Sequence, residues 1–220
     1  MSVSFLSQAG GVKYHLRAAL NRKRWRPFCQ FVDSWLQDWL SDSKIQNRQT
    51  LVLIGPSAGY SLPVWLSSRF INIVAVEPDP LAFALLQLKL QKPLKWVRDD
   101  YFGLANRSPD PTRLKKLFAD HPDAVFLFCN VLGQLPVLLR EKKGCDVEKY
   151  MQNLAEVLAE LSKSHMIASY HDRYSYHRRR PNEVIDHLTE VVSSRFKHKK
   201  EFPWEISKNI VHQIEFVRTE

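Results

Sequence analysis

The sequence predicts an α/β fold: a doubly wound, mostly parallel seven-stranded sheet with an antiparallel C-terminal hairpin and a helical N-terminal extension. Three observations predict it. The apolar run Leu51–Ile54 enters a small-residue turn, Gly55-Pro56-Ser57-Ala58-Gly59, and a second run from Ile73 to Val76 ends on Glu77. Short apolar runs then alternate with helix-length stretches as far as residue 170, which is the pattern of βα units. Last, the β-rich stretches 201–207 and 210–218 are joined only by Lys208-Asn209, too short a connection for anything but an antiparallel pair.

Each element has a local reason. Residues 12–42 read as one or two helices, because Phe28, Phe31, Val32, Trp35, Leu36, Trp39 and Leu40 recur at helical spacing. Pro27 is expected in a first turn, where a missing N–H costs nothing. That apolar stripe should cover a face or edge of the sheet. Strand one is 50–54, a helix is expected over 61–69 behind Ser61 and Pro63, and strand two is 72–77. Asp79-Pro80 opens a helix to about 91; 94–98 is a short third strand ending at Asp99-Asp100; Asp110-Pro111 opens a helix to about 119. The unbroken apolar run 124–129 suits a central strand buried on both faces. After a segment with no clear pattern, Asp146 opens an amphipathic helix to about 162, 165–170 is strand five, and 181–193 reads as a helix.

Composition narrows the function classes. At 220 residues the chain fits one sizeable domain, 46–220, behind a helical extension, 1–45. No stretch approaches the ~20 apolar residues of a membrane span. Lys13, Arg17, Arg22, Lys23, Arg24 and Arg26 crowd the N-terminus where a secretory signal would be apolar. Cys29, Cys129 and Cys145 form no C-x-x-C pair and no even disulfide set. A cytoplasmic protein without a zinc site is the expectation.

The turn after strand one admits three chemistries. A dinucleotide fingerprint needs glycine at 55, 57 and 60, where this chain has Gly, Ser and Tyr. A nucleophile elbow G-x-S-x-G matches 55–59 letter for letter. It would make Ser57 the nucleophile of a serine hydrolase, with His212 late enough to complete a triad. That elbow, however, follows a strand with several before it, whereas 50–54 reads as the first strand. A loop of the form G-x-G-x-G finds glycine at 55 and 59 and serine at 57.

With these residues and this order of elements, residues 45–218 resemble the class I S-adenosylmethionine-dependent methyltransferases, a Rossmann-like family whose last strand inserts antiparallel. The resemblance implies an enzyme that moves a methyl group from S-adenosylmethionine to an acceptor the sequence does not identify. It places Gly55, Pro56, Ser57, Ala58 and Gly59 in the loop under the methionine moiety and Glu77 at the ribose hydroxyls. Asp99 or Asp100 would sit near the adenine amine with Tyr101 flanking, and Asn130 would line the transfer pocket. Two positions depart from the family: Leu53 stands where an acid is usual, and Ser57 replaces the middle glycine. A non-catalytic binding or scaffold module with the same fold shares those features. Asn130-Val131-Leu132-Gly133 also lacks the Pro-Pro-aromatic pattern of exocyclic-amine methylation.

If the acceptor must lose a proton, His171 and Asp172 are the candidate base, because they follow strand five at the carboxyl edge of the sheet. An ion-paired loop, His171-Asp172-Arg173-Tyr174, explains the same residues equally well. Tyr60 and Tyr174 are candidate walls of the acceptor pocket.

The formal charge is +9, with eight Lys and Arg against three Asp in residues 1–50. Arg178-Arg179-Arg180 and Lys197, Lys199 and Lys200 form further basic patches, and Trp25, Tyr174 and Tyr176 lie near them in sequence. Such patches suit a nucleic-acid partner; a solvated helix face and a polar loop account for them as readily.

Overall fold

The structure, a computed structural model, describes residues 11–219. Helix α1 (Gly11–Leu40) runs thirty residues without a break, Pro27 included. Pro27 therefore sits in mid-helix and not in a first turn. After α2 (Ser43–Gln46), the core begins with β1 (Thr50–Ile54), α3 (Leu66–Arg69), β2 (Asn72–Val76), α4 (Pro80–Leu90) and β3 (Lys95–Val97). A 3-10 turn at Pro111–Arg113 leads into α5 (Leu114–Asp120), then β4 (Val125–Cys129), α6 (Val131–Arg140) and α7 (Val147–Leu161). β5 (Met166–His177), β6 (Arg180–Asp186), α8 (Glu190–Ser193), β7 (His198–Glu205) and β8 (Ile210–Arg218) complete the chain.

The sheet order is β3-β2-β1-β4-β5-β8-β7. β1 to β5 are parallel, and β8 enters antiparallel between β5 and β7. Chain order reverses between β1 and β4, so the carboxyl ends of those strands frame the crevice where open α/β sheets bind ligands. The seven expected strands form this path. An eighth, β6, pairs antiparallel with the outer half of β5.

Three expectations need correction. The helix expected over 181–193 is strand β6 followed by a single helical turn, α8. β5 extends to His177, and its far end takes up a partner strand containing the β-branched Val184 and Ile185. The helix expected over 61–69 shrinks to Leu66–Arg69, because turns after Gly59 consume its first residues. The unpatterned segment after Cys129 forms α6, with Pro136 inside it.

Each face of the sheet carries its own apolar core. On one, the stripe of α1 (Trp25, Phe28, Val32, Trp35, Leu36, Trp39) packs with Leu51, Leu53, Tyr170, Trp204 and Phe216. Phe28 stacks on Trp204 at 4.4 Å, and Trp25 Nε1–H donates to the Ile206 carbonyl at 3.1 Å. On the other, α5, α6 and α7 cover Val52, Ile54, Phe126, Phe128 and Ile167.

Candidate functional site

The turn after β1 alternates left-handed residues: φ is +65° at Gly55, 48° at Ser57 and +66° at Gly59. Two of these are glycine, which adopts that region without a Cβ penalty. A Cβ on Gly55 would lie 2.8 Å from Val131 Cβ, and one on Gly59 would lie 2.5 Å from Leu86 Cδ1. Ser57, the third of these residues, takes up the left-handed region despite its Cβ.

Glu77 pins that loop. Its Oε2 accepts the Ser57 N–H at 2.8 Å and its Oε1 accepts the Asp79 N–H at 3.1 Å. Burial pushes its carboxyl up to about 7, against the pull of the two backbone N–H groups. A carboxylate has about four lone-pair sites, so one remains on each oxygen for a diol. Lys89 Nζ donates to the Gly59 and Tyr60 carbonyls on the other flank. Asp79 caps α4 through Leu81 N–H and Ala82 N–H.

At the end of β3 the three expected residues divide. Asp100 accepts the N–H groups of Leu104 and Ala105, so it serves the local turn. Asp99 is exposed and takes only a long contact, 3.4 Å, from the Tyr101 hydroxyl. Tyr101 is buried in the second core. Of the two acids, Asp99 is the one facing open space. Trp96, stacked on Phe83 at 4.7 Å, ties this corner to the Glu77 carbonyl through Nε1–H at 2.7 Å.

His171 and Asp172 are not in a loop after β5; they lie inside it, and adjacent strand residues face opposite ways. His171 is fully buried, with Nδ1 bonded to Ser169 Oγ at 2.8 Å and Nε2 to Ser193 Oγ at 3.0 Å. Ser193 in turn donates to Glu215. This is a sealed structural network on the α8 side.

Asp172 faces the α1 side and gathers a second cluster. His212 Nδ1 lies 2.8 Å from its Oδ1, while Asn130 Nδ2 and Gln134 Nε2 donate to its Oδ2 at 3.2 and 2.9 Å. The Asp172 N–H returns a bond to Asn130 Oδ1 at 2.8 Å. Burial raises this carboxyl, but His212, His187 and Asn130 outweigh it and hold Asp172 below the ordinary range. Gly133 lets α6 approach, since a Cβ there would lie 2.7 Å from Asp172 Cβ. His187 Nδ1 reaches the Gly133 carbonyl at 2.8 Å and its Nε2 reaches Ser175 Oγ at 3.1 Å. Asn130, at φ 59°, thus joins the β4 end to the β5 cluster.

Gln134 and His187 escaped sequence reasoning because neither belongs to a motif. His212 was visible only as a triad member, because its meeting with Asp172 depends on the register of β8 against β5 and on the irregularity after Asp172, neither of which the sequence shows. The α1 residues near the site were missed for the same reason. His15 Nδ1 lies 2.8 Å from the Tyr60 hydroxyl, so Tyr60 serves α1 packing; Tyr14 packs 5.9 Å from the Tyr60 ring. Tyr174 sits 6.4 Å from the Tyr176 ring, along the outer part of β5.

No known protein family matches the sequence, and no curated protein does. Solved structures do. The bifunctional kinase-methyltransferase WbdD matches with a TM-score of 0.51 at 11% identity, over 86% of this chain and 39% of that one. A methyltransferase dependent on S-adenosylmethionine from Anabaena variabilis ATCC 29413 matches at 0.49 and 10%, over 83% and 82%. Magnesium protoporphyrin IX methyltransferase from Synechocystis PCC 6803, with bound S-adenosylmethionine, matches at 0.45 and 14%, over 87% and 80%. At these identities the likeness concerns the fold. The chain has the class I methyltransferase fold, and it spans well under half of the bifunctional protein.

Proposed function

We propose that this chain transfers a methyl group from S-adenosylmethionine to an acceptor bound beside Asp172 and His212. The observation that carries the reading is Glu77, a buried carboxylate that fixes the left-handed Gly55–Gly59 turn at the switch point and keeps a lone pair on each oxygen. Those residues suit the cofactor: the turn would lie under its methionine end, Glu77 would take the ribose hydroxyls, and the exposed Asp99 would border the adenine, with Tyr101 behind it in the core. When bound, S-adenosylmethionine would supply a methyl group already activated on a sulfonium, with a neutral thioether as its leaving group.

The chain's own work is alignment and proton handling. Asp172 accepts the Nδ1 proton of His212, which leaves His212 Nε2 as the basic nitrogen to receive the acceptor's proton. Asn130 and Gln134 hold the other carboxylate oxygen in place. His171 is outside this role, because both its ring nitrogens are spent within a sealed network. The free thiols Cys29, Cys129 and Cys145 suit a reducing cytoplasm. No helix among the described residues is long and apolar enough to cross a membrane.

Calorimetry with S-adenosylmethionine tests the reading on wild type and Glu77→Ala. Losing a charged hydrogen-bond partner is worth about 1.5–3 kcal/mol, so affinity should fall roughly tenfold to a hundredfold. Absence of binding by the wild type would leave a non-catalytic module. Covalent capture of Ser57 by a fluorophosphonate would indicate a hydrolase.

A further inference from the structure

Asp172, His187 and His212 come from β5, the β6–α8 connection and β8, yet one ligand atom of each lies within 4.8 Å of the others. Asp172 and His187 are buried and His212 is partly exposed, so the cluster has a route from solvent. The surrounding bonds orient the three side chains as the outer shell of a metal site does. His187 Nδ1–H is held by the Gly133 carbonyl, which fixes the tautomer and leaves Nε2 with a lone pair that accepts from the Ser175 hydroxyl. Asn130 and Gln134 hold Asp172 Oδ2, leaving Oδ1 beside His212 Nδ1. In a tetrahedral site two ligands ~2.0–2.2 Å from the ion stand about 3.3–3.6 Å apart. Asp172 Oδ1 and His212 Nδ1, 2.8 Å apart across a hydrogen bond, would separate by roughly half an ångström to take the ion.

We propose that Asp172, His187 and His212 bind a divalent first-row transition-metal ion. Two imidazoles and one carboxylate suit zinc, and three protein ligands leave at least one position open. On binding, the ion replaces the proton between His212 and Asp172, which moves to His212 Nε2, so the imidazole stays neutral, no proton is released, and a metal-loaded His212 no longer serves as the base of the methyl transfer. The site uses neither the Gly55–Gly59 turn nor Glu77, so it stands or falls independently of cofactor binding.

The test is titration of chelator-treated full-length protein with Zn2+ by calorimetry and with Co2+ by visible absorption, without S-adenosylmethionine. One ion per chain is expected, with a raised melting temperature and the d–d bands of a four- or five-coordinate Co2+ site. His187→Ala should weaken binding by more than the ~10–100-fold typical of outer-shell changes, and Gln134→Leu should fall within that range. If His187→Ala does not fold, as judged by circular dichroism without metal, His212→Gln at the partly exposed position replaces it. Absence of saturable Zn2+ or Co2+ binding by the wild type would overturn the site. So would binding undiminished in both histidine variants, which would assign the ion to surface histidines.

Discussion

Glu77 and Asp172 are both buried carboxylates, yet their acidities move in opposite directions. Asp172 is met by an imidazole and two side-chain amides, and it is held below the usual range. Glu77 is met only by two backbone N–H groups, too little to offset burial, and it rises to about 7 from 4.5. Between those values the folded chain holds more protons on Glu77 than the unfolded chain does. Stability from this group therefore falls as pH rises through that window, and the penalty is complete above about 7. At about 1.4 kcal/mol per tenfold change in proton affinity, the whole effect is on the order of 3 kcal/mol. Glu77→Gln cannot ionise, so its stability relative to wild type should improve between pH 4.5 and 7.5. Urea unfolding at several pH values checks this; a constant difference would mean Glu77 titrates normally. Ribose hydroxyls favour the ionised form, so cofactor affinity should rise over the same window.

At the scale of elements, the sequence showed what local chemistry determines. Asp79-Pro80, Asp110-Pro111 and Asp146 all begin helices where expected, because each aspartate accepts the N–H groups of the first turn. The 55–59 turn and Glu77 were legible because strand, glycines and acid lie in one short stretch. What stayed hidden depends on contacts distant in sequence. The outer half of β5 is a strand because β6 and β8 flank it, and its Tyr, Ser and His residues read as a loop alone. Pro27 is tolerated within α1 because the helix is held along its length by the aromatic stripe packed on β7 and β8. That packing predicts the energetics of the element. Phe28 is buried between Trp204, Tyr170 and Phe216, so Phe28→Ala should cost about 3–5 kcal/mol of global stability. Leu20, 85% exposed on the same helix, should cost under about 0.5 kcal/mol apart from helix propensity. Urea unfolding distinguishes the two; equal small effects would show that α1 folds separately from the sheet.

Across the whole molecule, the +9 charge is partly consumed within the fold. Arg24 and Arg178, from the two basic segments, meet at one carboxylate, Glu205. Arg180 pairs with Glu183, and Lys200 and Arg218 both approach Asp38. The N-terminal basic segment and the 178–180 loop, expected to flank one phosphate-binding groove, meet at Glu205 on β7, with acids among them. A nucleic acid bound there would have to displace Glu205 and Glu183 before Arg178 and Arg180 reached phosphates. Each phosphate neutralised by a free cation contributes roughly 0.7–0.9 to the slope of log affinity against log salt. Three free arginines would give a slope change of about two to three. With two already paired, replacing Arg178, Arg179 and Arg180 by Ala should lower the slope by about one or less. Titrating a mixed RNA pool at two or more salt concentrations checks this. A loss near three would show the ion pairs open on binding. Absence of binding at low salt would leave the acceptor to be sought among small molecules and proteins, with the basic surface serving solubility.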